Sequence, residues 1–436
     1  MKTWLALVVL LMVAAPATLY LLSAPIGIAV DPRPKVIGLD TPVRFRLDAP
    51  HGARRVAVRL QQGGARHIVF EHNEPPSRWM FWRNRLPPRT LAFSTGKQRI
   101  PELRDGPATL ALEAQSNDLR AAAASLTLDV QIITEPPTLA VDSFQHYINQ
   151  GGAEMVVFRV SGYWTEAGVR AGVHTFRSYP LPGSTSGERF SLFAFSWDTP
   201  SDAVPVVFAR QAGGAEATAK FWNKTFSKKF RAREMEINDA FLHKVVSQLD
   251  PGGSGDPLPR FLKINGEMRR RNNEAIAALR VKTEERFLWT APFAQLANSK
   301  VESQFADRRT YLYQGKRIDE QVHLGFDLSV AENTPVTAAN DGRVIHAAPL
   351  GIYGNCVVVD HGYALQSIYA HLSAIAVKPG DTVKKGQPLG RSGSTGLAGG
   401  DHLHFSMQID GVQVNPVEWW DGHWIRDRIR SKLPSP

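Results

Sequence analysis

Through much of its length this chain places apolar residues at every second position, a spacing that an extended strand buries on one face. Val56, Val58 and Leu60 show it, as do Leu126, Leu128, Val130 and Ile132. Turn-rich breaks such as Gln62-Gly63-Gly64 and Glu74-Pro75-Pro76 separate the runs. The pattern predicts an immunoglobulin-like β-sandwich over residues 31–135, without the cysteine pair of antibody domains. Glu135-Pro136-Pro137 reads as a linker to a second immunoglobulin-like β unit over 136–219, whose clearest strands are 155–160, 190–197 and 204–208. Nothing in that unit specifies a function, and a spacer role is expected.

The period then changes. Phe241, Val245 and Leu249 form an i,i+4 row with Leu242 and Val246 beside it, after an N-cap at Asp239. Pro251-Gly252-Gly253-Ser254-Gly255 ends that helix, and a second is expected over 266–285 with Met268, Ile276 and Leu279 on its apolar side. Arg269, Arg270 and Arg271 read as its solvated face, with contact to anionic wall or lipid as the alternative. This helical segment, 220–286, lies directly before the last region and is placed to cover a groove there. From 287 to the end, short strands and Gly-rich turns return, which predicts a compact antiparallel β domain over 287–436. A chain of 436 residues fits this multidomain, mainly β organisation.

Residues 4–30 carry no charge until Asp31 and are mostly Leu, Val and Ala. The stretch exceeds the ~20 residues that a membrane-crossing helix needs, so an uncleaved transmembrane anchor over 1–30 is expected. Removal as a signal peptide after Ala15-Pro16-Ala17 is the alternative. Either way the remainder is exported, held at the inner membrane or released to the periplasm or medium. The formal net charge of +10 suits an anionic polymer or lipid surface. No basic stripe interleaved with aromatics marks a nucleic-acid surface. The single cysteine, Cys356, excludes an internal disulfide and reads as a small buried hydrophobe beside Val357, Val358 and Val359.

Chemistry concentrates near the C-terminus. His402-Leu403-His404 lies in a strand-like run, where period two puts both imidazoles on one face. Upstream, His323-Leu324-Gly325-Phe326-Asp327 adds an imidazole and a carboxylate on a strand end or loop. Three of these four groups can hold zinc, leaving the fourth for proton transfer, and His371 in Ala370-His371-Leu372-Ser373 is a fifth candidate. The other histidines, from His51 to His423, read as ordinary surface or core residues.

The stretches around these groups carry a resemblance. Residues 288–419 resemble the lysostaphin-type, or LytM-like, zinc metalloendopeptidases that cut peptide crosslinks in peptidoglycan. The matching runs include His323-Leu324-Gly325-Phe326-Asp327-Leu328, Asn340-Asp341-Gly342-Arg343-Val344, Tyr369-Ala370-His371-Leu372 and Gly393-Ser394-Thr395-Gly396. Asp401 stands where the family often has proline before His-x-His. The resemblance implies that His323, Asp327 and His404 are zinc ligands and that His371 and His402 are the catalytic pair. It implies stem peptides of peptidoglycan as substrate, and Tyr313 or Tyr311 near the oxyanion. Two other readings compete: a non-hydrolytic wall-binding scaffold that activates a partner hydrolase, and a carrier domain of lipoyl or biotin type. The complete set of five groups counts against both.

Overall fold

The computed structural model describes residues 2–76, 81 and 85–434, with only the backbone of residues 2–11. The chain divides into two compact units, one made of residues 1–138 with 161–166 and 209–217, the other of 139–160, 167–208 and 218–436.

The first unit is built on the alternation read above. In the strand Thr41–Asp48 every second residue is buried, so Val43, Phe45 and Leu47 point inwards. That strand is the centre of a three-stranded sheet with Gly27–Val30 and Arg89–Thr95. A five-stranded sheet follows the order Val36–Ile37, Ala123–Ile132, Gly106–Ser116, Ala53–Gln62, Ala65–Asn73. Val56, Val58, Leu60, Leu128, Val130 and Ile132 pack into the same core as Phe45.

Gly27–Val30 corrects one expectation. The uncharged stretch that reads as a single span is divided by the backbone. A helix, Lys2–Leu22, contains Pro16, and the last residues of the stretch are a strand paired with Phe45–Asp48. Proline inside a helix removes a backbone hydrogen bond, and a strand committed to a sheet cannot also extend a span. Among the described residues no helix is long and apolar enough to cross a membrane. The transmembrane helix and the inner-membrane anchor are therefore overturned.

In the second unit, Ala153–Ser161 pairs with Arg189–Ala194, and His146–Asn149 runs parallel to Asn223–Phe226. The carboxyl-terminal part is an eight-stranded sheet through Phe326–Ser329, Leu403–Ile409, Leu365–Leu372, Asn355–Asp360 and Gly342–Pro349. Leu365–Leu372 and Leu403–Ile409 are buried at every position, as central strands covered on both faces are. Cys356 is wholly buried in the adjoining strand, where loss of solvent raises its thiol pKa.

The helical segment is part of this architecture. Ala232–Ile237 forms a parallel strand beside Asp307–Tyr313. The first helix is Asp239–Leu249, and its cap is Asn238, whose side chain accepts from Phe241 N; the expected cap, Asp239, is already inside the first turn. The second expected helix is broken into Pro257–Lys263, a π-turn at Ile264–Met268, Arg269–Ala278 and a 3-10 turn at Leu279–Val281. Leu242, Val245, Val246, Phe261 and Ile276 share one core with Tyr311, Ile352, Val358 and Ile368 of the C-terminal region.

Glu418 is wholly enclosed in the second unit, accepting from Asn149 Nδ2 at 2.8 Å and from Ala153 N at 2.7 Å. Burial pushes its pKa up to about 7 from an ordinary 4.5. The folded state thus binds a proton that the unfolded state releases between these values. The stabilisation is full below pH 4.5 and is lost as pH rises through 7, by about 3 kcal/mol at most. Glu418→Gln should flatten the fall in melting temperature between pH 5 and 8; an identical slope in both proteins would refute this.

Candidate metal centre

Sheet register assembles the site. Phe326–Ser329 pairs with Leu403–Ile409 so that Asp327 stands opposite His404. On the other side Ala370 stands opposite His404, which delivers His371 one residue further on. His323 closes the strand Lys316–His323, and His402 sits just before its strand at a bridge to Gly393. Four strand ends, two adjacent in the chain and two distant, thus meet at one point.

There, His323 Nε2 lies 2.9 Å from Asp327 Oδ1 and 2.9 Å from His404 Nδ1. His404 Nδ1 is 3.1 Å from the same Asp327 oxygen, and His402 Nε2 is 3.4 Å from it. The rings of His371 and His402 are 4.9 Å apart between centroids, and those of His371 and His404 are 5.7 Å apart. All five candidate residues therefore line one cleft of about 540 Å³.

Backbone carbonyls decide which nitrogens face that cleft. Gln304 O accepts from His323 Nδ1 at 3.0 Å, Thr395 O from His371 Nδ1 at 2.8 Å, and Gly400 O from His402 Nδ1 at 2.9 Å. In each neutral ring the proton is committed to the carbonyl, so the Nε2 lone pair is left for the site. His404 is reversed, with Nδ1 in the cluster and Nε2 buried without a partner. His371 holds its ring with a backbone φ of 63°, in the left-handed region, a strain that accompanies functional positions.

The electrostatics follow from burial. Loss of solvent pushes His323 down to about 4 and His371 well below the usual imidazole range, so both are neutral at pH 7. Burial opposes the charge on Asp327, but His323, His402 and His404 outweigh it and hold the carboxyl well below the usual range. Burial also works against charging His402, yet its contact with Asp327 raises it. Arg309 Nη2 donates to the second Asp327 oxygen at 2.6 Å. The carboxylate is thus fixed from outside while Oδ1 faces inwards.

The donor set fits a cation. With its proton on Gln304 O, His323 presents a lone pair to Asp327 Oδ1 at 2.9 Å, and two acceptors at that distance repel unless something positive lies between. Two imidazole nitrogens and one carboxylate oxygen, all within 4.8 Å of one another, are a donor set suited to zinc.

Several participants escape a reading of the sequence. Tyr353 packs its ring edge-on to His404 at 5.8 Å and donates through its hydroxyl to Asn273 Oδ1. Arg309 and the three carbonyls carry no motif of their own. Of the two expected tyrosines, Tyr311 lines the cleft, whereas the Tyr313 hydroxyl is taken by Asp239 at 2.6 Å. His361 is a satisfied core histidine, bonded to Asp341 O and Ser367 Oγ.

Gly325 explains the middle of the first motif. A Cβ there would lie 2.6 Å from His404 Cε1 and Nε2 and 2.8 Å from the Phe405 carbonyl. Gly325→Ala should displace the His404 ring, cost about 1–3 kcal/mol and weaken metal binding. Melting and a chelator competition would check this, and wild-type values in both would refute it.

Over residues 321–416 the chain matches peptidase family M23. These residues are a peptidase family M23 domain. The chain is 41% identical over 120 residues to a metalloprotease of Haemophilus influenzae, covering 27% of this chain and 25% of that one. Over 97 residues, 22% of each chain, it is 40% identical to the DD-carboxypeptidase/endopeptidase Mpg of Neisseria meningitidis. Over 95 residues it is 40% identical to the murein hydrolase activator EnvC of Escherichia coli, covering 22% of this chain and 23% of that one. The chain spans about a quarter of the length of the curated relatives it matches. The five candidate residues all fall inside the M23 domain, but Arg309 lies outside it.

Proposed function

We propose that the chain is a zinc-dependent endopeptidase that hydrolyses peptide crosslinks of peptidoglycan. The observation that carries the reading is the cleft itself. His323, Asp327 and His404 converge on one point, and His371 and His402 present further Nε2 atoms beside it. His323, Asp327 and His404 would hold the ion. When bound, zinc supplies Lewis acidity to the scissile carbonyl and acidifies the attacking water.

The chain's own groups do the rest. His371, neutral and anchored by the Thr395 carbonyl, takes the proton of the attacking water on Nε2. His402, whose contact with Asp327 favours its protonated form, stabilises the negative charge developing on the carbonyl oxygen and protonates the leaving amine. Arg309 keeps Asp327 ionised and oriented. Tyr311 is placed to assist the oxyanion from the cleft wall. The upstream β units act as immunoglobulin-like spacers, and the chain works outside the cytoplasm, periplasmic or secreted, where its substrate lies.

A non-hydrolytic activator is the second reading, since one relative bears that name. The complete set of five groups favours hydrolysis. Zinc content and digestion of isolated peptidoglycan by the full chain decide between them, with His404→Ala as control. Stoichiometric zinc and loss of crosslinked dimers, both abolished by the substitution, are expected. Bound zinc with intact dimers would sink the hydrolase.

A further inference from the structure

One wall of the cleft comes from outside the M23 domain. Besides the histidines it is lined by Lys244 of the helix Asp239–Leu249 and by Arg269 and Asn273 of Arg269–Ala278. A second cleft of about 510 Å³ shares Arg269, Asn273, Arg309 and Leu324 with the first and continues to Arg308. Arg309 is neutralised by Asp327. Among the described residues, Lys244, Arg269 and Arg308 form no ion pair with any carboxylate, and Glu236 is the one other acid lining the metal cleft. Glu320, which lines the second cleft, is paired with Arg317, so the groove carries an excess of positive charge beside the histidines.

Arg269 is held in advance of any ligand. Its Nη2 donates to Asn265 Oδ1 at 2.6 Å and its Nε to the Asn265 carbonyl at 3.1 Å. Asn265 is itself fully buried and donates to Asp319 at 2.7 Å. Asn265 sits in the π-turn Ile264–Met268, a backbone irregularity that recurs at functional sites. Among the described residues these contacts leave Nη1 without a partner. Lys244 Nζ donates to the Ala398 carbonyl, in the loop leading to His402, which fixes the ammonium at the rim with donors to spare. Asn273 accepts from Tyr353 and keeps its amide donors for a ligand.

We infer that Arg269 and Lys244 read a free carboxylate of the substrate peptide beside the scissile bond. The helical segment thereby sets specificity: crosslinks through a carboxylate-bearing diamino acid are cut in preference to amidated or glycine-only ones. The inference rests on the endopeptidase reading. A guanidinium held by two bonds presents its remaining donors at little further entropic cost, and a charge-assisted contact discriminates strongly against a neutral amide.

The test uses the full zinc-loaded protein and two crosslinked peptide dimers, identical except for a side-chain carboxylate or carboxamide on the diamino acid. In the wild type, kcat/KM should favour the carboxylate by about tenfold or more. That ratio should collapse towards one in Arg269→Gln and fall by a smaller factor in Lys244→Met, mainly through KM. Arg269→Lys, which keeps the charge, should retain part of it. A wild-type ratio near one, or a ratio unchanged in all three variants, overturns the inference. If neither dimer is cleaved, the endopeptidase reading fails, and titration calorimetry with the same peptides still decides this one. Preference for the carboxylate that Arg269→Gln abolishes supports it; equal binding overturns it.

Discussion

A fragment beginning at Phe287 is expected to fail to fold. Sequence alone places a domain boundary there, but the core of the C-terminal sheet does not end at it. Truncation would strip Ile237, Leu242, Val245, Val246, Phe261, Ile264 and Ile276 from the cluster that covers Val358 and Ile368. It would also remove the strand Ala232–Ile237 from beside Asp307–Tyr313, leaving an unpaired edge. Each large apolar side chain contributes about 1.5–3 kcal/mol when buried. Seven of them together contribute about 10–20 kcal/mol, comparable to the whole ~5–15 kcal/mol net stability of a domain. Circular dichroism melts of 287–434 against the full chain would check this. A cooperative transition within a few degrees of the intact protein would show that the helices are dispensable. The same packing changes what covering the groove means: these helices form its wall and are built into the core below it.

The second large effect concerns His371. On the endopeptidase reading, His371→Ala should lower kcat by about 10²–10⁴-fold, the range for a general base, and leave zinc content intact. His371 Nδ1 is tied to Thr395, and the convergent three-atom group does not include it. Turnover measured alongside metal analysis separates the two roles. Loss of zinc in this variant would make His371 a ligand, and retention of activity would remove it from the chemistry.

How far the sequence reaches depends on the range of the interaction that decides each feature. The alternation at Val56–Leu60 and Leu128–Ile132 is local, and those residues do form paired strands with buried faces. The five candidates that line the cleft were legible because few side chains can bind a metal or move a proton, and their spacing is distinctive. Absence of charge in residues 4–30, by contrast, is compatible with a span or with a helix followed by a strand. What decides is pairing to Thr41–Asp48, which no window on the stretch itself contains. Likewise the helical period over 266–285 is real, but a π-turn at Ile264–Met268 divides the helices. Asn265 stabilises that turn through Asp319, more than fifty positions away. Arg309 was unremarkable among 51 basic residues until folding set it against Asp327.

The three carbonyls that orient His323, His371 and His402 belong to Gln304, Thr395 and Gly400, and every residue has a carbonyl. Identity at these positions can therefore drift without altering which nitrogen faces the cleft. What cannot drift is the path of the main chain: one inserted or deleted residue near 304, 395 or 400 would withdraw an acceptor and free a ring to flip. The protonation pattern of this centre is inherited through loop length, and a survey of side chains alone would overlook it.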